Sequence, residues 1–149
     1  MRNILKIFFS LFSSSNFFLN IKQIIENNSY IKTDVLNHKL IFFCPNILSK
    51  WRVQTIHNKE PETLEWIDNF NQKEKIVFWD IGANIGLYSI YAATKHKDID
   101  IISFEPSSSN LRILSRNISI NNLEKKIKIF QIPLSDTSNH FSMMKESSF

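Results

Sequence analysis

Two glycines occur in the whole chain of 149 residues, and both fall within one short window, at Gly82 and Gly86. Glycine belongs where the backbone must take positive φ or approach another group closely. A chain that avoids it elsewhere therefore has a specific use for it here. The residues in front, Ile76-Val77-Phe78-Trp79, are β-branched and aromatic and end in a carboxylate at Asp80, while Leu87 to Ala93 behind them have helical character. Strand, acid, glycine turn and helix form the first β–α unit of an open α/β sheet, whose ligands bind beyond the carboxyl ends of the strands.

The same grammar repeats downstream. Residues 85–96 read as a helix, and Ile99 to Glu105 as a second strand, apolar enough to be buried on both faces as parallel strands are. Pro106 and Ser107 to Ser109 then start a helix whose apolar stripe is Leu111, Leu114 and Ile118, with Asn121-Asn122 suited to its left-handed end. Lys126 to Ile132 supplies a third strand, stopped by Pro133. The expected fold is α/β: the β-α-β-α-β half of a Rossmann-like doubly wound sheet. Residues 134–149 are polar and hold no convincing further strand, so residues 72–149 are expected to be a truncated domain of this kind.

Residues 1–71 read as an N-terminal cap of helices and a β-hairpin. Ile4 to Phe12 is apolar but interrupted by Lys6, shorter than the roughly 20 residues a spanning helix needs, and lacks a small-residue cleavage site. It reads as an amphipathic or packed helix, with attachment to a membrane surface as the alternative. Phe17, Ile21, Ile24 and Ile25 share one helical stripe; Tyr30 to Cys44 reads as a hairpin turning at Asn37-His38. Asn46 is placed to cap a helix over Ile47 to Ile56, and Pro61 opens another, with Leu64, Ile67 and Phe70 on its buried side.

Composition narrows the partners. A formal charge of +4 is spread among mixed acids and bases, with no basic tract of the kind that marks a nucleic-acid face. Weak contact with an anionic membrane surface is compatible with it. The single cysteine, Cys44, excludes an internal disulfide framework, fits a reducing, cytoplasmic setting, and in its apolar run reads as buried filler. No metal-ligand spacing is present, and His38 reads as a turn residue.

Asp80 and Glu105 end successive strands, so both carboxylates face one crevice. An acid after the second strand is placed to accept both hydroxyls of a ribose. Charge separates the candidate ligands. A dinucleotide would bring its pyrophosphate to the first helix N-terminus beside Asp80, and the middle position of the expected glycine pattern is Asn84 instead. S-adenosylmethionine carries a sulfonium, an ammonium and one carboxylate. Asp80 suits the cation, and the helix N-terminus the carboxylate. A nucleotide- or NAD-binding α/β protein and a non-catalytic remnant stand as the alternatives.

Trp79-Asp80-Ile81-Gly82-Ala83-Asn84-Ile85-Gly86-Leu87-Tyr88-Ser89 closely resembles the hallmark of the FkbM-family methyltransferases, class I enzymes that use S-adenosylmethionine. Phe104-Glu105-Pro106-Ser107, Asn110-Leu111 through Asn117, Asn121-Asn122, and Pro133-Leu134-Ser135-Asp136 are similar to later stretches of that family, and Lys59 to Ile67 to the lead-in of some members. The resemblance implies that Asp80, Gly82, Ala83, Asn84 and Gly86 hold the methionine end of the cofactor. It implies that Glu105 holds the ribose, and that Leu134, Ser135 and Asp136 lie by the adenine. The implied reaction is O-methylation of a sugar, glycolipid or secondary metabolite, so the partner is a small-molecule or glycan acceptor. The family's later Leu-Asp pair and Lys-x-Asp-x-Glu-Gly-like strand have no counterpart here, so no catalytic base is nominated; His57, His96 and His140 are the nearest by residue type.

Overall fold

The computed structural model describes residues 15–71 and 73–134. The expected helix in the first twelve residues, the adenine-side Ser135 and Asp136, and His140 lie outside them. In chain order, α1 (Ser15–Asn27) leads into the antiparallel pair β1 (Tyr30–Val35) and β2 (His38–Phe43). Three helices follow: α2 (Ile47–Gln54), α3 (Ile56–Lys59) and α4 (Pro61–Asp68). Then come β3 (Ile76–Ile81), α5 (Leu87–Lys95), β4 (Ile99–Phe104), α6 (Ser108–Ile120) and β5 (Ile127–Phe130). Strands β3, β4 and β5 pair in that order, all parallel. This is the expected half of a doubly wound sheet.

Local chemistry explains most boundaries. Asn46 caps α2 by accepting from the Ser49 amide at 2.8 Å, with Ser49 Oγ reaching back to the Asn46 amide. Pro61 occupies the first turn of α4, where its missing N–H costs nothing. Ser107 Oγ accepts from the Asn110 amide to start α6, and Asn122 takes φ +56° after its end. The hairpin turns one residue earlier than expected. Leu36 and Asn37 both have positive φ, and His38 already belongs to β2.

A continuous apolar cluster links Val35, Phe42, Ile67, Ile85, Ile101 and Leu114. Two asparagines of α6 fasten the hairpin to it. The fully buried Asn117 accepts from the Phe43 amide at 2.7 Å and donates to the Ile85 carbonyl at 2.9 Å. Asn121 accepts from the Ile41 amide and donates to the Ile41 carbonyl. Side-chain amides thus satisfy the edge of β2 that no strand pairs. In α6, Ile113 joins Leu114 and Ile118 in the core, while Leu111 is only half-buried.

Two apolar expectations are corrected by exposure, the stripe of α1 and the two-sided burial of β4, and β3 shares the latter pattern. Ile21, Ile24 and Ile25 on α1 stay exposed, with only Phe17 of that stripe half-buried. In β3 one face, Phe78 and Asp80, is buried, whereas Val77, Trp79 and Ile81 are each more than half exposed. Strand β4 is likewise buried fully at Ile99, Ile101, Ser103 and Phe104 but only half at Asp100 and Ile102. The sheet is therefore packed on one side, and on the other Phe104 is covered by its flanking rings, Trp79 and Phe130. Strand β5 also ends at Phe130, two residues short of the expected Ile132.

Candidate functional site

The site grows from the last residues of β3 and β4. Parallel pairing sets Asp80 beside Ser103 and Ile81 beside Phe104, so Asp80 and Glu105 project from the same end of the sheet. Between them the chain must leave β3 and enter α5 in five residues. It does so with positive φ at Gly82 (+77°), Asn84 (+54°) and Gly86 (+86°). Asparagine tolerates this region better than other side chains bearing a Cβ, so Asn84 fills the conformational place of the missing middle glycine.

The two glycines have different tasks. A Cβ on Gly82 would meet nothing within 4 Å, whereas one on Gly86 would stand 2.4 Å from Leu114 Cδ1. Gly82 keeps a space clear in front of the turn; Gly86 lets α6 close against it. The space is part of a crevice of about 380 Å³ between the turn and the helices of the N-terminal segment. Asp80, Gly82, Ala83 and Asn84 line one wall; Arg52, Lys59 and Glu60 line another. Gly86 and Glu105 are outside its lining.

Asp80 is 8% exposed. Its Oδ2 accepts from the Ser89 hydroxyl at 2.5 Å and the Ser89 amide at 3.1 Å, and the Ser103 hydroxyl stands 2.7 Å behind that of Ser89. Both hydrogen bonds to the carboxylate, among the described residues, fall on Oδ2, so Oδ1 has none. Burial pushes the Asp80 carboxyl above its ordinary 3.8; the Ser89 bonds oppose this, and the nearby Glu105 charge adds to it. A buried acid in the lining of a crevice, with one oxygen unengaged among the described residues, is prepared for a cation.

Glu105 is buried and holds the turn from behind. Its Oε2 accepts from the Asn84 amide at 2.7 Å, and Oε1 from the Ser107 amide at 2.9 Å and from Asn110 Nδ2 at 3.4 Å. A carboxylate has about four acceptor positions, so three partners leave Oε2 able to accept once more. Leu134 lies partly exposed beyond β5 at the same end of the sheet.

The histidines are elsewhere. His96 follows α5 at the amino ends of the strands. It is buried, stacked on Phe70 with centroids 5.5 Å apart, and donates from Nε2 to the Ile67 carbonyl. It thus packs the end of α5 against α4. His57 sits exposed in α3. Cys44 is buried, and burial pushes its thiol up to about 11, which removes it as a nucleophile near neutral pH. Among the described residues no His, Cys, Asp and Glu form a group able to hold a metal. No helix among them is long and apolar enough to cross a membrane.

Residue-by-residue reading missed the opposite wall. The Arg52 guanidinium donates to Asn84 Oδ1. Tyr88 donates to Glu60 Oε2 at 2.8 Å, and Lys59 pairs with Glu60 at 2.9 Å. No local signal marked Arg52: its place in the wall follows from the burial of Ser49 and Ile56, three residues before and four after it, which only the fold supplies.

No family model matches the chain. The methyltransferase sdnD of Sordaria araneosa is 35% identical over 91 residues, which are 61% of this chain and 35% of that protein. The chain thus spans about a third of the length of the curated relative it matches. Among solved structures, a SAM-dependent methyltransferase of Agrobacterium tumefaciens aligns over 69% of this chain and 32% of its own, at TM-score 0.51 and 12% identity. A Pyrococcus horikoshii protein assigned as a transferase aligns over 70% and 37%, at TM-score 0.50 and 15% identity. At such identities the likeness is one of fold: the open Rossmann-like α/β sheet.

Proposed function

We propose that this chain is the cofactor-binding part of an S-adenosylmethionine-dependent methyltransferase of the FkbM kind, acting on a hydroxyl of a small-molecule acceptor such as a sugar, glycolipid or secondary metabolite. One observation carries the reading. A buried carboxylate with a free oxygen, Asp80, borders a crevice whose floor Gly82 leaves open. Asp80 Oδ1 would receive the ammonium of the methionine end, and the cation's arrival offsets the cost of a charge held out of water. Glu105 would use its remaining acceptor position, and the long Asn110 contact it can give up, for the ribose hydroxyls. Leu134 would lie toward the adenine, with Ser135 and Asp136. The sdnD relative, a methyltransferase by name, supports the class of chemistry.

When bound, the cofactor supplies an electrophilic methyl on a sulfonium. The residues of this chain orient it: the Gly82–Gly86 turn fixes the amino-acid end and Glu105 the sugar. Positioning of this kind accounts for much of the rate of an in-line displacement. The N-terminal segment, residues 1–71, would form the cap over domain 72–149 and supply the crevice's second wall, in a cytoplasmic protein. Thermal denaturation with and without S-adenosylhomocysteine tests the reading, since a ligand of the folded state raises its stability. The expected result is a saturable rise with S-adenosylhomocysteine and none with NAD. An equal or larger rise with NAD contradicts it.

A further inference from the structure

The crevice needs a partner for the carboxylate of an amino-acid ligand, and the turn has few amides left to offer. The Gly82 and Ala83 amides both donate to the Phe104 carbonyl, at 2.9 and 3.0 Å, and the Gly86 amide to the Ala83 carbonyl at 2.8 Å. The Asn84 amide is held by Glu105 and the Ser89 amide by Asp80. Of the first three amides of α5, that of Ser89 is thus held, while those of Leu87 and Tyr88 have no hydrogen-bond partner among the described residues. The helix start can therefore still take one side of a carboxylate, and it leaves the other oxygen to a side-chain cation.

The opposite wall carries a cation that no carboxylate among the described residues neutralises. Lys59, also in the wall, is paired with Glu60. Glu60 is further engaged by the Tyr88 hydroxyl. Arg52 is half-buried, donates to the neutral Asn84 amide oxygen, and has no carboxylate within 4 Å among the described residues. One hydrogen bond occupies one of five guanidinium donors and leaves the fork available for a planar anion. Asn84 orients it, and Asn84 belongs to the same turn that Asp80 introduces. Opposite charges thus flank the Gly82 space, as the ammonium and carboxylate on one α-carbon require.

We infer that Arg52 binds the α-carboxylate of the cofactor's amino-acid end, across the crevice from Asp80. This rests on the adenosyl-cofactor reading above, and the experiment separates the two. The full chain and its Arg52→Gln variant are titrated with S-adenosylhomocysteine and with 5′-methylthioadenosine, which keeps the adenosine and thioether but lacks the amino-acid end. The variant is expected to bind S-adenosylhomocysteine about 10- to 100-fold more weakly, as for a lost hydrogen-bonded charge, with methylthioadenosine affinity unchanged. Arg52→Lys is expected to recover part of the loss. Equal S-adenosylhomocysteine affinity in parent and Gln variant overturns the assignment of Arg52 alone. Equal weakening of both ligands also overturns it, because Arg52 then acts by shaping the turn. A parent chain that binds neither ligand overturns the cofactor reading and this assignment with it.

Discussion

At the scale of single residues, the turn after β3 separates tasks that look alike in sequence. Gly86→Ala should be the more destabilising of the two glycine substitutions, because it adds a 2.4 Å clash with Leu114 to an unfavourable φ. Overpacking costs about 1–3 kcal/mol, and chemical denaturation reads it directly. Gly82→Ala should cost only the backbone term, about 1–2 kcal/mol, and should act chiefly on ligand affinity. Asp80 predicts a pH signature. Its folded-state pKa is raised above 3.8, so the folded state holds the proton more tightly than the unfolded one. The carboxyl therefore costs nothing below the unfolded value and progressively destabilises the fold as pH rises through the raised one. Denaturation of parent and Asp80→Asn from pH 3.5 upward (roughly the onset of that window) should show the variant gaining relative stability as pH rises. Glu60 and Asp100, held low by Lys59 and Lys75, contribute the opposite slope in both proteins, so the difference isolates Asp80.

At the scale of elements, the α/β unit was largely legible, because its signals are local. A β-branched run, a glycine turn and a capping serine each declare themselves within a few residues. The side chains that join the N-terminal segment to this unit were not legible. Arg52 meets Asn84 across 32 residues, and Asn117 meets Phe43 across 74; no periodicity encodes such partners. Asn117 closes a stretch similar to the FkbM family, but that likeness assigned it no partner, whereas in the fold it satisfies two buried backbone groups. Asn117→Leu should strand the Phe43 amide and the Ile85 carbonyl, each costing about 1–3 kcal/mol. Asn110→Leu, at the half-buried start of α6, should cost less. A smaller loss for Asn117→Leu than for Asn110→Leu in urea denaturation would contradict the role given to α6.

At the scale of the whole molecule, the chain concentrates its buried charge at one end of the sheet. Asp80 and Glu105 are both buried acids at the carboxyl ends of β3 and β4. Lys75 and Asp100 at the other end form an exposed ion pair, of the kind that contributes little. The sequence carried this polarity, since both acids follow apolar strands. It did not carry the one-sided packing of the sheet. Val77, Trp79 and Ile81 have the composition of a buried strand, and exposure depends on what stands opposite them rather than on what they are. The central claim, an adenosyl ligand across those two strand ends, is tested most directly by mapping amide chemical shifts of the full chain during titration with S-adenosylhomocysteine. The account predicts saturable shifts at Asp80 to Ser89 and at Glu105 to Ser107. Shifts confined to Lys75 and the residues from His96 to Ile99, at the opposite end of the sheet, or no shifts at all, would contradict it.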